Sequence, residues 1–215
     1  CQLHHAGMHS PTEIIGEPPV CPSYNEETGA RALRTEEVQQ LVSDFVAAAV
    51  RAEKAGFDGV EIHGAHGYIL CQFLSSEINR RDDQYGGSLV NRSRIIIEII
   101  DGIRKQCRSN FMLGVRLSPE RFGMQLSEIL IVAQRLMDGG QIDFLDMSLW
   151  DVFKEPNDEN MRGKSLLSCF TELDRKGVRL GAAGKIRTPA EAEKALASGV
   201  DWIMLGRAAI LHHDF

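Results

Sequence analysis

Short runs of apolar, β-prone residues alternate along this chain with longer segments of helical periodicity, and this alternation limits the possible folds most strongly. Runs that are apolar at nearly every position are typical of strands buried on both faces of a parallel sheet. The predicted strands are Gly59–His63, Phe111–Leu117, Ile142–Ser148, Val178–Gly184 and Trp202–Gly206. The alternation therefore predicts an α/β protein built from repeated βαβ units.

The segments between these strands have the apolar spacing of amphipathic helices. Apolar residues recur at helical intervals after Thr35, and Thr188 followed by Pro189 is the usual signature of an N-cap and a first helical residue. Helices are predicted over Thr35–Lys54, Leu89–Arg108, Ser127–Met137 and Pro189–Ser198.

Two parallel architectures fit this pattern, a doubly wound sheet and a (β/α)8 TIM barrel. No GxGxxG follows a strand, and the Walker A pattern fails before Gly163 because Asp158 stands where its leading glycine should be. We therefore predict the barrel. A whole barrel has ~250 residues, whereas this chain of 215 residues has five clear strands, with Gln2–His4 as the tail of another. The prediction is a partial barrel domain over residues 1–215 that is incomplete at both ends.

Composition excludes several classes of protein. The formal net charge of -6 and the absence of a basic run argue against nucleic-acid binding. No apolar stretch approaches the ~18 residues of a membrane span. The five cysteines include no CxxC pair, so neither a zinc nor an iron–sulfur site is indicated, and their odd number favours a reducing cytoplasm. Because the chain starts at Cys1 without an initiating Met, we expect it to be incomplete.

Residues with useful chemistry follow the predicted strands, and in barrels the carboxyl ends of the strands carry the active site. The first of these strands continues into His63–Tyr68, which holds two imidazoles and a phenol, and the second ends at Arg116. The last two end at Gly184 and at Gly206–Arg207. Small residues before a helix N-terminus at these two strands are typical of a barrel phosphate site.

Five runs resemble the old yellow enzyme family, the flavin-dependent ene-reductases. The runs are Gln2–Gly7 (QLHHAG), Phe57–Leu74 (FDGVEIHGAHGYILCQFL), Asn79–Arg92 (NRRDDQYGGSLVNR), Gly114–Pro119 (GVRLSP) and Gly184–Arg207 (GKIRTPAEAEKALASGVDWIMLGR). The resemblance implies a (β/α)8 barrel with FMN at its C-terminal face. Residues 1–215 would then be a partial FMN-binding barrel domain in which strands 1 and 2 and the C-terminal helix are absent. The resemblance also implies NADH or NADPH as electron donor and hydride transfer to the activated C=C bond of a small enone-type substrate.

Catalytic roles carry over from the resemblance to three residues. His63 and His66 match the pair that hydrogen-bonds the substrate's carbonyl or nitro oxygen, where negative charge develops during hydride transfer. Tyr68 matches the tyrosine that protonates the α-carbon, and a tyrosine hydroxyl carries its proton at neutral pH.

Flavin contacts carry over to five more residues. Arg116 matches the arginine beside the flavin N1 and O2 edge, and Gln2 matches the side chain that hydrogen-bonds the pyrimidine edge. Gly184, Gly206 and Arg207 match the phosphate cradle. The chain departs from the family where Met8 follows Gly7, because the family usually has an arginine there.

Other interpretations stay open at this point. A zinc site formed by His63 and His66 with His4 and His5 lacks a carboxylate or thiolate to complete it. The chain is alternatively a catalytically silent fragment that cannot retain flavin, or a flavin-free phosphate-binding barrel lyase or isomerase. The sequence leaves open whether the protein is a homo-oligomer.

Overall fold

The computed structural model describes residues 1–215, and its centre is a six-stranded sheet in which every neighbouring pair of strands is parallel. Two short 3-10 segments, Gly7–His9 and Glu159–Met161, lie in loops. The regular elements in chain order are β1 (Gln2–Leu3), α1 (Thr12–Ile15), β2 (Val20–Cys21), β3 (Arg31–Ala32), α2 (Thr35–Lys54), β4 (Gly59–Gly64), α3 (Ile69–Leu74), α4 (Leu89–Gln106), β5 (Met112–Leu117), α5 (Leu126–Asp138), β6 (Phe144–Ser148), α6 (Leu166–Thr171), β7 (Arg179–Ala183), α7 (Pro189–Ala197), β8 (Trp202–Met204) and α8 (Arg207–Leu211).

The order of strands in the main sheet is β1-β4-β5-β6-β7-β8, and β2 and β3 form a separate pair. Strands that follow one another in the chain are therefore neighbours in the sheet, as in a barrel, whereas a doubly wound sheet reverses its order at a switch point. This order confirms the predicted fold class of an incomplete (β/α)8 barrel. β1 and β8 are the two edges of the sheet.

The side-chain alternation of the strands separates an apolar outer face from a polar inner face. Ile62, Val115 and Leu145 are fully buried and belong to one apolar cluster with residues of the surrounding helices. On the inner face, the strand register pairs His63 with Arg116 and Arg116 with Asp146. Residues paired across parallel strands point to the same side. His63, Arg116 and Asp146 therefore lie in one layer of the barrel interior.

Glycines in this interior leave room for large neighbours. A Cβ atom at Gly114 would overlap the ring of Phe144, and one at Gly181 would overlap the indole of Trp202 and the carboxyl of Asp146. The interiors of small barrels are commonly filled by such alternation of small and large residues. The two glycines thus allow the polar layer to pack without a void.

The predicted helices are present with small differences at their ends. α2 covers the predicted Thr35–Lys54, and its buried stripe includes Val38, Leu41 and Phe45. Predicted strand Ile142–Ser148 begins two residues later, at Phe144, and Trp202–Gly206 ends at Met204. No helix has both the length and the apolar character needed to cross a membrane.

Candidate active site

The carboxyl ends of β4 to β8 surround a cavity of about 750 Å³. The loops after β5, β6, β7 and β8 supply most of its wall. Five of the eight predicted site residues line it, namely His66, Arg116, Gly184, Gly206 and Arg207. The other three lie outside its lining: His63 is bonded to His66, Tyr68 is next to His63, and Gln2 bonds to Glu61 deeper in the barrel.

The two histidines are bonded to each other. His63 Nε2 lies 3.1 Å from His66 Nδ1, and the backbone N–H of His66 donates to Ser118 Oγ at 3.0 Å. His66 has a left-handed φ of 61° and Gly67 one of 76°, so the loop turns sharply and directs the His66 ring to the cavity. His63 is 4% exposed, and its Nδ1 has no hydrogen-bond partner.

Both imidazoles are held in the neutral form. Burial lowers the pKa of His63 to about 3, with smaller contributions from His66, His4 and Arg116. Burial, and after it the charge of Arg116, also lowers the pKa of His66. Each neutral ring carries one N–H. If His63 Nε2–H donates to His66 Nδ1, the N–H of His66 is on Nε2 and is free to bond a ligand.

Tyr68 lies next to His63 and outside the lining of the cavity. Its ring centroid is 5.5 Å from that of His63 and 4.3 Å, edge to face, from that of His4. Tyr68 is the residue before α3, where the chain is still extended, and it is partly exposed. The predicted catalytic residues His63, His66 and Tyr68 therefore form one cluster, which His4 borders.

Arg116 is the cationic centre of the inner layer. Its Nε donates to Ser148 Oγ at 2.7 Å, and none of the salt bridges in the structure involves it. The rest of the guanidinium has no protein partner and lines the cavity. Arg116 therefore offers two N–H-bearing nitrogens to an anion or a carbonyl oxygen.

Two carboxyl groups lie deeper in the barrel interior. Gln2 Nε2 donates to Glu61 Oε2, and the Oε1 of Gln2 has no partner. Asp146 is 5% exposed, with Oδ1 unbonded. Its burial raises the pKa of Asp146 to about 8, and the hydrogen bond and charge of Glu61 act in the same direction. The charge of Arg116 acts in the opposite direction, and the net effect favours the protonated form of Asp146.

The end of the cavity with the predicted phosphate cradle, called the phosphate end below, combines glycines with cations. A Cβ at Gly184 would lie 2.9 Å from the backbone of Trp150 and Asp151, so glycine there allows the β6–α6 loop to approach β7. A Cβ at Gly206 would meet no protein atom within 4 Å, and glycine there leaves the cavity wall open. Arg207 and Arg187 both line this end, and neither forms a salt bridge.

These donors fit FMN. The ligand carries a phosphate and a ring edge that gains negative charge on reduction, and both call for cations and N–H groups. The cavity supplies unpaired guanidinium groups at Arg116, Arg187 and Arg207 and an open backbone at Gly206. Lys185 contributes less charge, because its Nζ lies 3.2 Å from Asp151 Oδ2. No group of three or more His, Cys, Asp or Glu side chains is placed to hold a metal ion.

Sequence reasoning missed several residues of this site. Arg187 lines the cavity and lies in the GKIRTP segment, where a cation three residues after Gly184 is a usable sequence signal. Asp146 could also be predicted from the sequence, because burying a single acidic residue in the apolar run FLDMS costs free energy. Arg121 and Trp150 lie in loops without periodicity, where the sequence offered no signal.

Comparisons with known proteins show which proteins the chain is similar to. The chain is 35% identical over 225 residues to the probable NADH-dependent flavin oxidoreductase YqiG of Bacillus subtilis, covering 98% of this chain and 59% of the relative. It is 34% identical over 221 residues to the NADH oxidase of Thermoanaerobacter brockii, covering 97% of this chain and 34% of the relative.

A solved structure of morphinone reductase in complex with tetrahydroNAD has the same fold. The TM-score is 0.79 at 29% sequence identity, over 97% of this chain and 61% of that chain. The chain therefore spans less than two thirds of the length of each of these proteins.

The profile of the family described as NADH:flavin oxidoreductase / NADH oxidase matches residues 1–215. That description confirms, for the family, the predicted flavoprotein oxidoreductase class and the predicted cofactors FMN and NADH or NADPH. The match has no gap at either end of the chain. The chain belongs to the NADH:flavin oxidoreductase / NADH oxidase family, as its resemblance to the old yellow enzymes predicted.

Proposed function

We propose that the protein containing this chain is an FMN-dependent ene-reductase, which uses NADH or NADPH to reduce the activated C=C bond of an α,β-unsaturated carbonyl compound. The supporting observation is that the predicted flavin-binding and catalytic side chains converge on one cavity. One cavity of about 750 Å³ joins unpaired guanidinium groups to an imidazole whose ring partner contacts a tyrosine. These are the groups that a hydride transfer followed by a proton transfer requires.

FMN would be held at two ends of the cavity. Arg207, Arg187 and the open backbone of Gly206 would bind the phosphate, beside Gly184. Arg116 would bind the N1 and O2 edge of the ring, and the free Oε1 of Gln2 would accept a hydrogen bond from the pyrimidine edge. When bound, FMN supplies a hydride acceptor for NADH or NADPH and a hydride donor for the alkene.

The substrate oxygen would bond to the histidine pair. Hydride addition at the β-carbon moves negative charge to the carbonyl oxygen, and a fixed N–H there lowers the barrier. His66 lines the cavity and would donate from Nε2, while His63 would hold the tautomer of His66 through the 3.1 Å bond. Both rings have lowered pKa values, so they act as hydrogen-bond donors without adding a formal charge.

Tyr68 would complete the reduction. Its hydroxyl would donate a proton to the α-carbon, and the tyrosinate would regain a proton from water. One hydride and one proton together convert the enone into a saturated carbonyl compound. His4 packs edge to face against Tyr68 at 4.3 Å and would limit the orientations of the phenol ring.

A spectroscopic experiment tests the proposal. The purified protein should be yellow, its flavin absorbance should be bleached by NADH or NADPH, and cyclohexenone should restore it under anaerobic conditions. A bleached flavin that oxygen restores and cyclohexenone does not would contradict the enone substrate. Colourless protein would contradict flavin binding.

The two alternatives predict different colourless proteins. A silent fragment should aggregate, because β1 and β8 are the open edges of the sheet. A flavin-free lyase or isomerase should be folded and gain thermal stability with phosphate ligands. Arg116 has no acidic partner and bonds only to Ser148, so its guanidinium is free to bind the edge of a flavin ring. This favours the flavin enzyme over both alternatives.

A further inference from the structure

The mouth of the cavity holds a cation that the flavin contacts described above do not use. Arg121 and Trp150 are exposed and both line the cavity. The guanidinium carbon of Arg121 lies 4.2 Å from the centroid of the Trp150 ring, and Arg121 forms no hydrogen bond or salt bridge through its side chain. Trp150 is 58% exposed, which is unusual for so large an apolar ring.

The backbone holds this pair in place at some cost. Arg121, Phe122 and Gly123 have successive left-handed φ values of 78°, 54° and 70°, and Trp150 has one of 63°. Non-glycine residues in this region are strained, and strain of this kind concentrates at functional sites. Ser75 anchors the turn, because its Oγ donates to the carbonyl of Gly123 at 3.0 Å.

The turn reaches toward both halves of the candidate site. The ring of Phe122 packs on Gly67, since a Cβ there would lie 2.9 Å from it, and Gly67 lies between His66 and Tyr68. On the other side, the backbone of Trp150 packs on Gly184. The Arg121–Trp150 pair therefore stands above the cavity between the substrate histidines and the phosphate end.

The charge at the mouth is not balanced by the protein. Glu120 is the one acidic residue in the cavity lining, and its carboxylate is already bonded to Lys154 and to the backbone N–H of Asn157. Arg121 is thus left to a ligand that brings negative charge. The adjacent exposed indole suits a ligand that also brings a flat aromatic ring.

We propose that Arg121 and Trp150 form the binding site for the adenosine diphosphate half of the nicotinamide dinucleotide. Arg121 bonds the pyrophosphate, and Trp150 stacks on the adenine. This inference rests on the proposed function, because it assumes that a reduced nicotinamide is the electron donor. It adds a site that lies apart from the hydride-transfer centre and determines affinity for the donor.

A comparison of two electron donors distinguishes binding at this site from the hydride-transfer step. NADH contains the adenosine diphosphate half, whereas reduced nicotinamide mononucleotide lacks the adenosine monophosphate portion. With the FMN-loaded wild type, the dissociation constant obtained from rapid flavin reduction should be about 10- to 100-fold lower for NADH than for reduced nicotinamide mononucleotide. Arg121→Met and Trp150→Leu should each remove most of that preference by weakening NADH alone.

Binding without turnover gives a second readout. ADP should quench tryptophan fluorescence of the FMN-loaded protein, in which the phosphate cradle is occupied. Trp150→Leu should abolish the quench, although Trp202 remains, and Arg121→Met should weaken ADP binding about 10-fold. Arg162→Met is the matched control. Arg162 lies in the β6–α6 loop with Trp150, and its side chain is 63% exposed and paired to Glu159.

The outcomes distinguish this inference from the proposed function. FMN content and flavin reoxidation by cyclohexenone after dithionite reduction show whether a variant is folded. If wild type and both variants prefer NADH over the mononucleotide equally, the site is wrong while the proposed function stands. If neither donor reduces the wild-type flavin, the proposed function fails and this inference fails with it.

Discussion

Replacing Asp146 with Asn should remove a pH-dependent loss of stability. Asp146 is buried in the inner layer, and its pKa is raised to about 8 by burial and by Glu61. In the unfolded chain the carboxyl returns to its ordinary value of 3.8. The amide of Asn has the shape of the protonated acid and still donates toward Glu61. The variant therefore imitates the low-pH state at every pH.

The sign follows from proton binding. Between the unfolded and folded pKa values the native state holds one more proton than the unfolded state, so the free energy of unfolding falls as pH rises. The rise from 3.8 to about 8, at ~1.4 kcal/mol per pKa unit, sets an upper limit of ~6 kcal/mol. Structural relaxation and water entry reduce this, and we expect ~2–4 kcal/mol between pH 4 and pH 8.

Urea unfolding of wild type and Asp146→Asn at several pH values measures this effect. The variant should match the wild type near pH 4 and exceed its stability by the expected amount at pH 8. The histidines shift stability in the opposite direction below pH 6.5, because their pKa values are lowered. That contribution is common to both proteins and cancels in the difference.

The control is Asp82→Asn, at an exposed position without a hydrogen bond or ion pair to its side chain. Its stability difference from wild type should be independent of pH. Equal pH dependence in wild type and Asp146→Asn would refute the assignment of a buried, protonated carboxyl to this position.

Three further predictions concern the active site. Tyr68→Phe should slow flavin reoxidation by cyclohexenone by roughly 10²–10⁴-fold and spare reduction by NADH; stopped-flow measurement of both half-reactions checks this, and equal loss in both would count against Tyr68 as proton donor. His63→Ala combined with His66→Ala should weaken binding of phenolic ligands about 10-fold or more, and unchanged spectral titrations would contradict the pair's role. Arg207→Met should raise the dissociation constant of FMN about 10- to 100-fold, measured by flavin fluorescence, whereas an unchanged value would place the phosphate elsewhere.

The sequence predicted the sheet well because every central strand is buried on its outer face. Val115 and Leu145, for example, stand in runs whose apolar character leaves little freedom in placing a strand. α2 was predicted to its last residue because its apolar stripe and its polar ends agree. In both cases local pattern and tertiary packing require the same structure.

Two short helices were missed for a physical reason. α3 and α6 each have six residues, and all six residues of α3 are buried. A helix buried on all sides shows no amphipathic period, and at this length an apolar run is equally compatible with a strand. Their helical state depends on the barrel that surrounds them.

The site was predictable in its residue types and not in its contacts. HGAHGY identified His63, His66 and Tyr68, yet the bond between the two imidazoles depends on left-handed φ values at positions 66 and 67. Similarly, the sequence predicted Gly184 only as part of a phosphate cradle. The structure adds that the same glycine admits the backbone of Trp150, which depends on a loop without a sequence signature.

The polar inner layer follows from strand geometry alone. Alternate residues of a strand face opposite sides, so once Ile62 and Val115 are committed to the helices, His63 and Arg116 must face the interior. Their register then puts them side by side, with Asp146 next to Arg116. A shift of one residue in any strand would turn these polar groups toward the helices and the apolar residues toward the barrel interior. The hydrophobic core therefore fixes the position of the predicted catalytic groups, and we expect mutations in the outer face of β4 or β5 to change activity without contacting a ligand.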